Sequence, residues 1–208
     1  MTISYKVHMN SKKKNETIKN LITIGIFNAL LLVVFWIIAC TIGFFPPILL
    51  VLPIILGLIG GTIFMLMIAK APMKGVFIIS GALMGSTLIT MAPKAIMFWG
   101  ILAGGFIGEL LFNLIGRNKF IAAVSGFASI MLGYALGEYI PFVYMQDAYI
   151  ALYKTKTTGT LPIVQQCLEI MNPNLMIILC IITVTASVLG CLWGKRLLHK
   201  HFKKAGIV

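Results

Sequence analysis

The sequence predicts an all-α membrane protein: six transmembrane helices with both termini in the cytoplasm, and a long outer loop containing a short amphipathic helix. Three observations predict it. The chain has 208 residues, of which 60% are hydrophobic and 11% charged, too apolar for a water-facing domain. Residues 21–42, 47–69, 75–91, 95–116, 120–140 and 174–193 are apolar stretches. A hydrocarbon core of roughly 30 Å needs about 20 helical residues, so five of these stretches suffice and the third is near the short limit. Finally, the 17 Lys and Arg residues sort to one side. With the N-terminus inside, the inner segments hold Lys6, Lys12, Lys13, Lys14, Lys19, Lys70, Lys74, Arg117, Lys119, Lys195, Arg196, Lys200, Lys203 and Lys204, and the outer ones only Lys94, Lys154 and Lys156. Positive charge marks the cytoplasmic side, so both termini are expected inside.

In chain order, residues 1–18 read as a basic cytoplasmic tail and residues 19–208 as one six-helix membrane domain. Lys12–Lys14 before an apolar run could pass for a signal peptide, but the run is too long, so Leu21 onward reads as a retained first span. Pro46 and Pro47 turn the chain into the second span, and Pro72 into the third, because proline ends one helix and suits the start of the next. The fourth and fifth spans are joined at Gly116 to Lys119. Residues 141–173 form the outer loop, with Asp147, Lys154, Lys156, Gln165, Gln166 and Glu169. A loop this long is usually functional. Within it Leu161, Val164, Leu168 and Met171 recur at helical spacing, after a Thr- and Gly-rich turn at 155–160.

The net charge of +12 sits in short flanks, so membrane lipids are the expected partner and nucleic acid is not. Cys40, Cys167, Cys180 and Cys191 have no paired spacing, and no disulfide framework, metal site or cofactor is expected. No phosphate-binding loop, zinc-protease motif or nucleophile elbow occurs, so no catalytic residue is assigned and the chain reads as a non-enzyme.

Small residues carry the packing signal. Gly57–Gly61, Gly81–Gly85, Gly100–Gly104, Gly104–Gly108, Gly133–Gly137 and Gly190–Gly194 are four apart and let helix backbones approach, chiefly within the chain. Gly25 and Ala29 form a similar pair on the first span, for which internal packing is again the reading from the motif alone. Ionisable groups inside a membrane are costly and rarely idle. Two acids qualify: Glu109, where a structural role leads, and Glu138, where structural and functional roles stand level. Aromatic residues gather at the outer ends, including Trp99, Tyr139, Tyr144, Tyr149 and Tyr153, and this asymmetry favours an outward ligand pocket.

The run from Leu21 to Phe27, the six-span layout, the segment from Met145 to Tyr149 and the ending from Lys200 to Ile207 resemble the Trep_Strep (MptS-like) family, among the S components of energy-coupling factor (ECF) transporters. The likeness spans essentially the whole chain. Asn20 stands where an acidic residue often precedes the Leu-Ile-Thr run. The resemblance implies a subunit that captures a vitamin or other micronutrient outside and docks on a transmembrane coupling subunit with two ATPases. It implies coupling-subunit contact at Gly25 and Ala29, and substrate binding in the region of Lys94, Trp99, Glu138, Tyr144 and Asp147. A membrane-embedded lipid-modifying enzyme using Glu109 or Glu138, or a small channel-like oligomer, are the alternatives.

Overall fold

The computed structural model describes residues 2–42, 45–154 and 161–202. Helix α1 is Thr2–Ile42, α2 Pro46–Leu49, α3 Leu52–Lys70, α4 Val76–Thr87, α5 Ile96–Ile115, α6 Phe120–Tyr144, α7 Gln146–Lys154, α8 Leu161–Ile170 and α9 Pro173–Leu197. A 3-10 turn, Pro93–Ala95, precedes α5, and the described residues hold no strand. Five helices are long and apolar enough to cross a membrane: α1, α3, α5, α6 and α9. The expected third span is shorter: α4 has 12 residues, about 18 Å at the α-helical rise of roughly 1.5 Å per residue. The basic stretch before residue 19 continues α1 as helix. The turn expected at 155–160 lies outside the described residues.

Proline and asparagine set the helix starts. Pro53 and Pro173 fall in the first turns of α3 and α9, where a missing N–H costs nothing. The Asn172 side chain accepts from the Leu175 N–H at 2.9 Å and caps α9. Ala92, before Pro93, is extended, and Lys94 and Ala95 both take φ of +54°, left-handed values that non-glycine residues rarely adopt. These residues form the turn that opens α5.

Glycine faces stitch the bundle together. A side-chain carbon on Gly133 would overlap the Gly100 carbonyl, and one on Gly108 would meet the Gly126 carbonyl, so α5 and α6 run antiparallel in backbone contact. Gly57 lies against Thr183 and Ser187, Gly61 against Gly190 and Cys191, so α3 and α9 run parallel. Gly81 meets Ile101 and Gly85 meets Phe98, which makes α4 antiparallel to α5. All six expected glycine pairs therefore serve packing within the chain. The middle is filled by Phe64, Phe77, Phe112 and Phe127, with ring centroids 4.9–5.3 Å apart in successive pairs.

Helix α1 is attached more sparsely. Buried Asn28 donates to the Ser80 hydroxyl at 3.0 Å and to the Ile24 carbonyl at 2.8 Å, and Leu31 packs beside Gly60. The opposite face is apolar and exposed, with Ile22, Ile26, Leu30 and Val33.

These pairings fix an alternating order. Helices α1, α4 and α6 point one way and α3, α5 and α9 the other. Lys19, Lys70, Lys74, Arg117, Lys119, Lys195 and Arg196 consequently lie at one end, the basic end, while Lys94 and Lys154 lie at the other with α2, α7 and α8. Residues 141–173 are more helical than a loop: α6 continues through Pro141, and two further helices follow. In α8, Val164 and Leu168 are buried, as is Met171 just beyond it, which matches the expected apolar face.

Candidate functional site

A cavity of about 230 Å³ lies at the end opposite the basic one, between α1, α3, α5 and α6 and beneath α7 and α8. Aromatic rings share its wall with aliphatic side chains such as Leu52, Leu88 and Met97. Phe35 and Trp36 come from the last turns of α1, Tyr134 and Phe142 from α6, and Tyr149 and Tyr153 from α7. The Phe142 and Tyr149 centroids are 4.6 Å apart, and Tyr149 stacks on Tyr153 at 5.3 Å. Two hydroxyls brace the frame. Tyr139 donates to the Leu50 carbonyl at 2.7 Å, holding α6 against the segment joining α2 to α3. Tyr153 donates to the Met91 carbonyl at 3.1 Å, tying α7 to the turn after α4.

Glu138 is the acidic residue of this cavity. It is 3% exposed, and neither carboxylate oxygen has a hydrogen-bond partner. Tyr134, one turn earlier on the same helix face, lies near enough to interact electrostatically, but its hydroxyl does not close a hydrogen bond of standard geometry. Among the described residues no Lys, Arg or His lines the cavity. Burial, joined by the neighbouring Tyr153 and the Glu138 charge, raises the Tyr149 phenol well above its ordinary value. Burial likewise raises the Tyr153 phenol, and it pushes the Cys167 thiol on α8 up to about 12, with Glu138 adding to the rise. These groups stay neutral near pH 7, so the site offers aromatic faces, phenol hydroxyls and one carboxyl group.

Glu109 sits in a different setting. One oxygen accepts from the Gly75 N–H at 2.8 Å and the other from the Phe77 N–H at 3.2 Å, at the N-terminus of α4. Arg117 approaches it at 3.7 Å, and Asn113 bridges the two side chains. A carboxylate there satisfies orphan helix donors and suits the positive end of the helix dipole. Its role is structural, and Gly75 supports it by taking φ of +84°, open to glycine.

Of the five residues that the sequence proposed for substrate binding, Glu138 lines the cavity and the other four do not. Lys94 is exposed in the strained turn before α5. Trp99 is 60% exposed and borders a separate apolar groove between α5 and α6. Tyr144 is 66% exposed, and Asp147 is exposed in the first turn of α7. Tyr149 and Tyr153 belong to the aromatic group noted at the outer ends. Phe35, Trp36, Tyr134 and Phe142 were missed. Tyr134, Glu138 and Phe142 are spaced by four and mark one stripe of α6, a signal open to inspection. Phe35 and Trp36 reach the cavity only through tertiary packing.

Gly25 and Ala29 lie on the outer side of α1. A side-chain carbon added at Gly25 meets nothing within 4 Å, and Ala29 is exposed. The expected packing role is not met by the described residues of this chain.

A family model described as a hypothetical bacterial integral membrane protein (Trep_Strep) matches residues 18–204. The chain belongs to this family. No curated protein and no solved structure matches it. Together with the five long apolar helices, membership makes the chain a multi-pass integral membrane protein.

Proposed function

We propose that the chain is the substrate-binding membrane subunit, or S component, of an ECF-type importer for a vitamin or other micronutrient. It captures its substrate outside, has no catalytic activity of its own, and docks on a transmembrane coupling subunit that carries two ATPases. The observation that carries this reading is the aromatic cavity with the unpartnered Glu138 carboxylate beneath α7 and α8. Ligand pockets combine apolar walls with a few placed polar groups, and this one does so in a membrane protein. Helices α7 and α8 supply a cover able to separate the cavity from solvent.

Two further features support the assignment. The basic end suits the cytoplasm, and an outward-facing cavity at the opposite end agrees with capture from outside. The short α4 then serves as a third passage, completing six with the five long helices. The bare Gly25–Ala29 face of α1 is what a partner helix needs for close approach.

The test is copurification. The full chain, purified in mild detergent and denatured, should release a small molecule detectable by mass spectrometry, and Glu138→Gln protein should release at least about tenfold less, a loss of roughly 1.4 kcal/mol. Protein of both forms carrying no small molecule, and binding none from a micronutrient panel, would sink the capture reading. For orientation, Thr157→Cys in a cysteine-free background should be labelled from outside in intact cells. Labelling only after permeabilisation would reverse the topology.

A further inference from the structure

We propose that the cavity selects a singly charged organic ammonium compound, with its cationic nitrogen against Glu138 and its apolar body among the Phe35, Trp36, Tyr134 and Tyr149 rings. This rests on the capture reading and adds the substrate class. Three properties of the site converge on it.

The first is charge. Glu138 is 3% exposed, and both of its oxygens lack partners. An ionised carboxylate taken out of water needs a countercharge, and no basic side chain among the described residues lines the cavity. A ligand cation supplies that charge. A ligand carboxylate or phosphate would instead face Glu138 with no basic side chain among the described residues to neutralise either group, and like charges in a low-dielectric site repel strongly.

The second is the wall. Aromatic faces carry negative potential and attract ammonium groups, most strongly where water is excluded. Tyr149 and Tyr153, held as neutral phenols by burial, keep that character and add no negative charge. The rings come from three helices, α1, α6 and α7, so they surround the site on several sides.

The third is size. A cavity of roughly 150 Å³ accommodates benzene. At about 230 Å³ this one is half as large again, room for one aromatic ring with a small substituted ammonium but not for a nucleotide-sized ligand.

The experiment compares three probes of similar size: benzyltrimethylammonium, its uncharged isostere neopentylbenzene, and the anion phenylacetate. Tritiated probes are equilibrated by dialysis with the full-length protein in micelles, against protein-free micelles to subtract partitioning. The parent protein should bind benzyltrimethylammonium at least tenfold more tightly than neopentylbenzene, and phenylacetate weakest. Glu138→Gln should bring the cation and the isostere to within about threefold, a preference of under 0.7 kcal/mol. Glu169→Gln, an exposed acid on α8, should keep the parental preference. Equal binding of cation and isostere by the parent, or tightest binding of phenylacetate, overturns the proposal and leaves the capture reading standing. Binding of none of the three also overturns the proposal, and the capture reading is then decided by copurification and the micronutrient panel. If Glu138→Gln fails to fold, the parental comparison still decides.

Discussion

Glu109 and Glu138 are both buried, both on glycine-rich helices that pack against each other, and they meet opposite surroundings. Glu109 gives its two oxygens to backbone donors at the start of α4 and has Arg117 beside it. Glu138 faces an aromatic cavity with neither oxygen paired. The glycines repeat the contrast. Gly133 is pressed against the backbone of α5, whereas Gly25 has open space where a side chain would stand. One part of the molecule satisfies its polar groups and close approaches internally. The other, the cavity and the outer face of α1, leaves them without a partner among the described residues. Residue type does not distinguish the two uses; partners do.

The largest expected effect comes from the satisfied side. In Gly133→Leu the new side chain collides with the Gly100 carbonyl, a backbone atom that cannot rotate away. Ordinary overpacking costs about 1–3 kcal/mol, and a backbone collision in the tightest helix pair exceeds that. The variant should fail to accumulate as folded protein in the membrane, read by detergent-resistant monodispersity on gel filtration. A monodisperse Gly133→Leu protein of parental stability would show that α5 and α6 are not held by this contact.

Next is the glutamate pair itself. Glu109→Ala leaves the Gly75 and Phe77 N–H groups without their acceptor and the half-buried Arg117 without its counter-ion, and an orphaned buried donor alone costs about 1–3 kcal/mol. Glu138→Gln replaces a buried carboxyl group that has no partner with a near-isosteric amide, so its fold stability should stay within about 1 kcal/mol of the parent or rise. Unfolding of both variants in mixed micelles with increasing dodecyl sulfate measures the difference. Equal losses would abolish the distinction and make Glu138 a structural residue too.

How legible this was from sequence depends on whether the cause is local. The long helices follow from apolar length, and their stitching from glycines four apart, because both signals lie within a single stretch. The early end of α4 at Thr87 has no local mark, because Pro93 restricts only Ala92 and the apolar run continues through Met91. The extra helix α7 carries its own marks, Asp147 in the first turn and Lys154 in the last, which complement the helix dipole. Continuation of α6 past Pro141 has no such mark. A proline there loses the hydrogen bond to the Gly137 carbonyl and crowds that carbonyl with its ring, and the buried packing of Pro141 and Phe142 accompanies the continued helix. The cavity was half legible. Glu138 stands out as an acid in an apolar helix, while Phe35 and Trp36 join it from far along the chain, where no spacing rule reaches. Lys94, Trp99, Tyr144 and Asp147 were grouped with Glu138 because they share its membrane depth, and depth does not determine which way a side chain faces.

The smallest expected effect on the fold belongs to Gly25→Leu combined with Ala29→Leu. Nothing lies within 4 Å of the carbon added at Gly25, and Ala29 is exposed beside the apolar Ile22, Ile26 and Val33. Leucine is a better helix former than glycine by about 0.8 kcal/mol or slightly less, and added apolar bulk facing lipid meets no polar group. Fold stability in dodecyl sulfate titration should therefore stay within about 0.5 kcal/mol of the parent, the range of a surface change. Probe binding in the cavity should also be unchanged, since the cavity draws on α1 only from Phe35 onward. Under the proposed function, what the double variant should lose is its hold on the coupling subunit. Four-residue spacing of small side chains sets the closest distance between two helices, and two leucines push a docked helix away. Copurification with the coupling subunit from cells expressing the whole transporter should fall at least about tenfold, a loss of roughly 1.4 kcal/mol. Parental recovery of the complex would remove this face from the docking site. Loss of folding would mean that Gly25, like Gly133, is already committed to holding the bundle together.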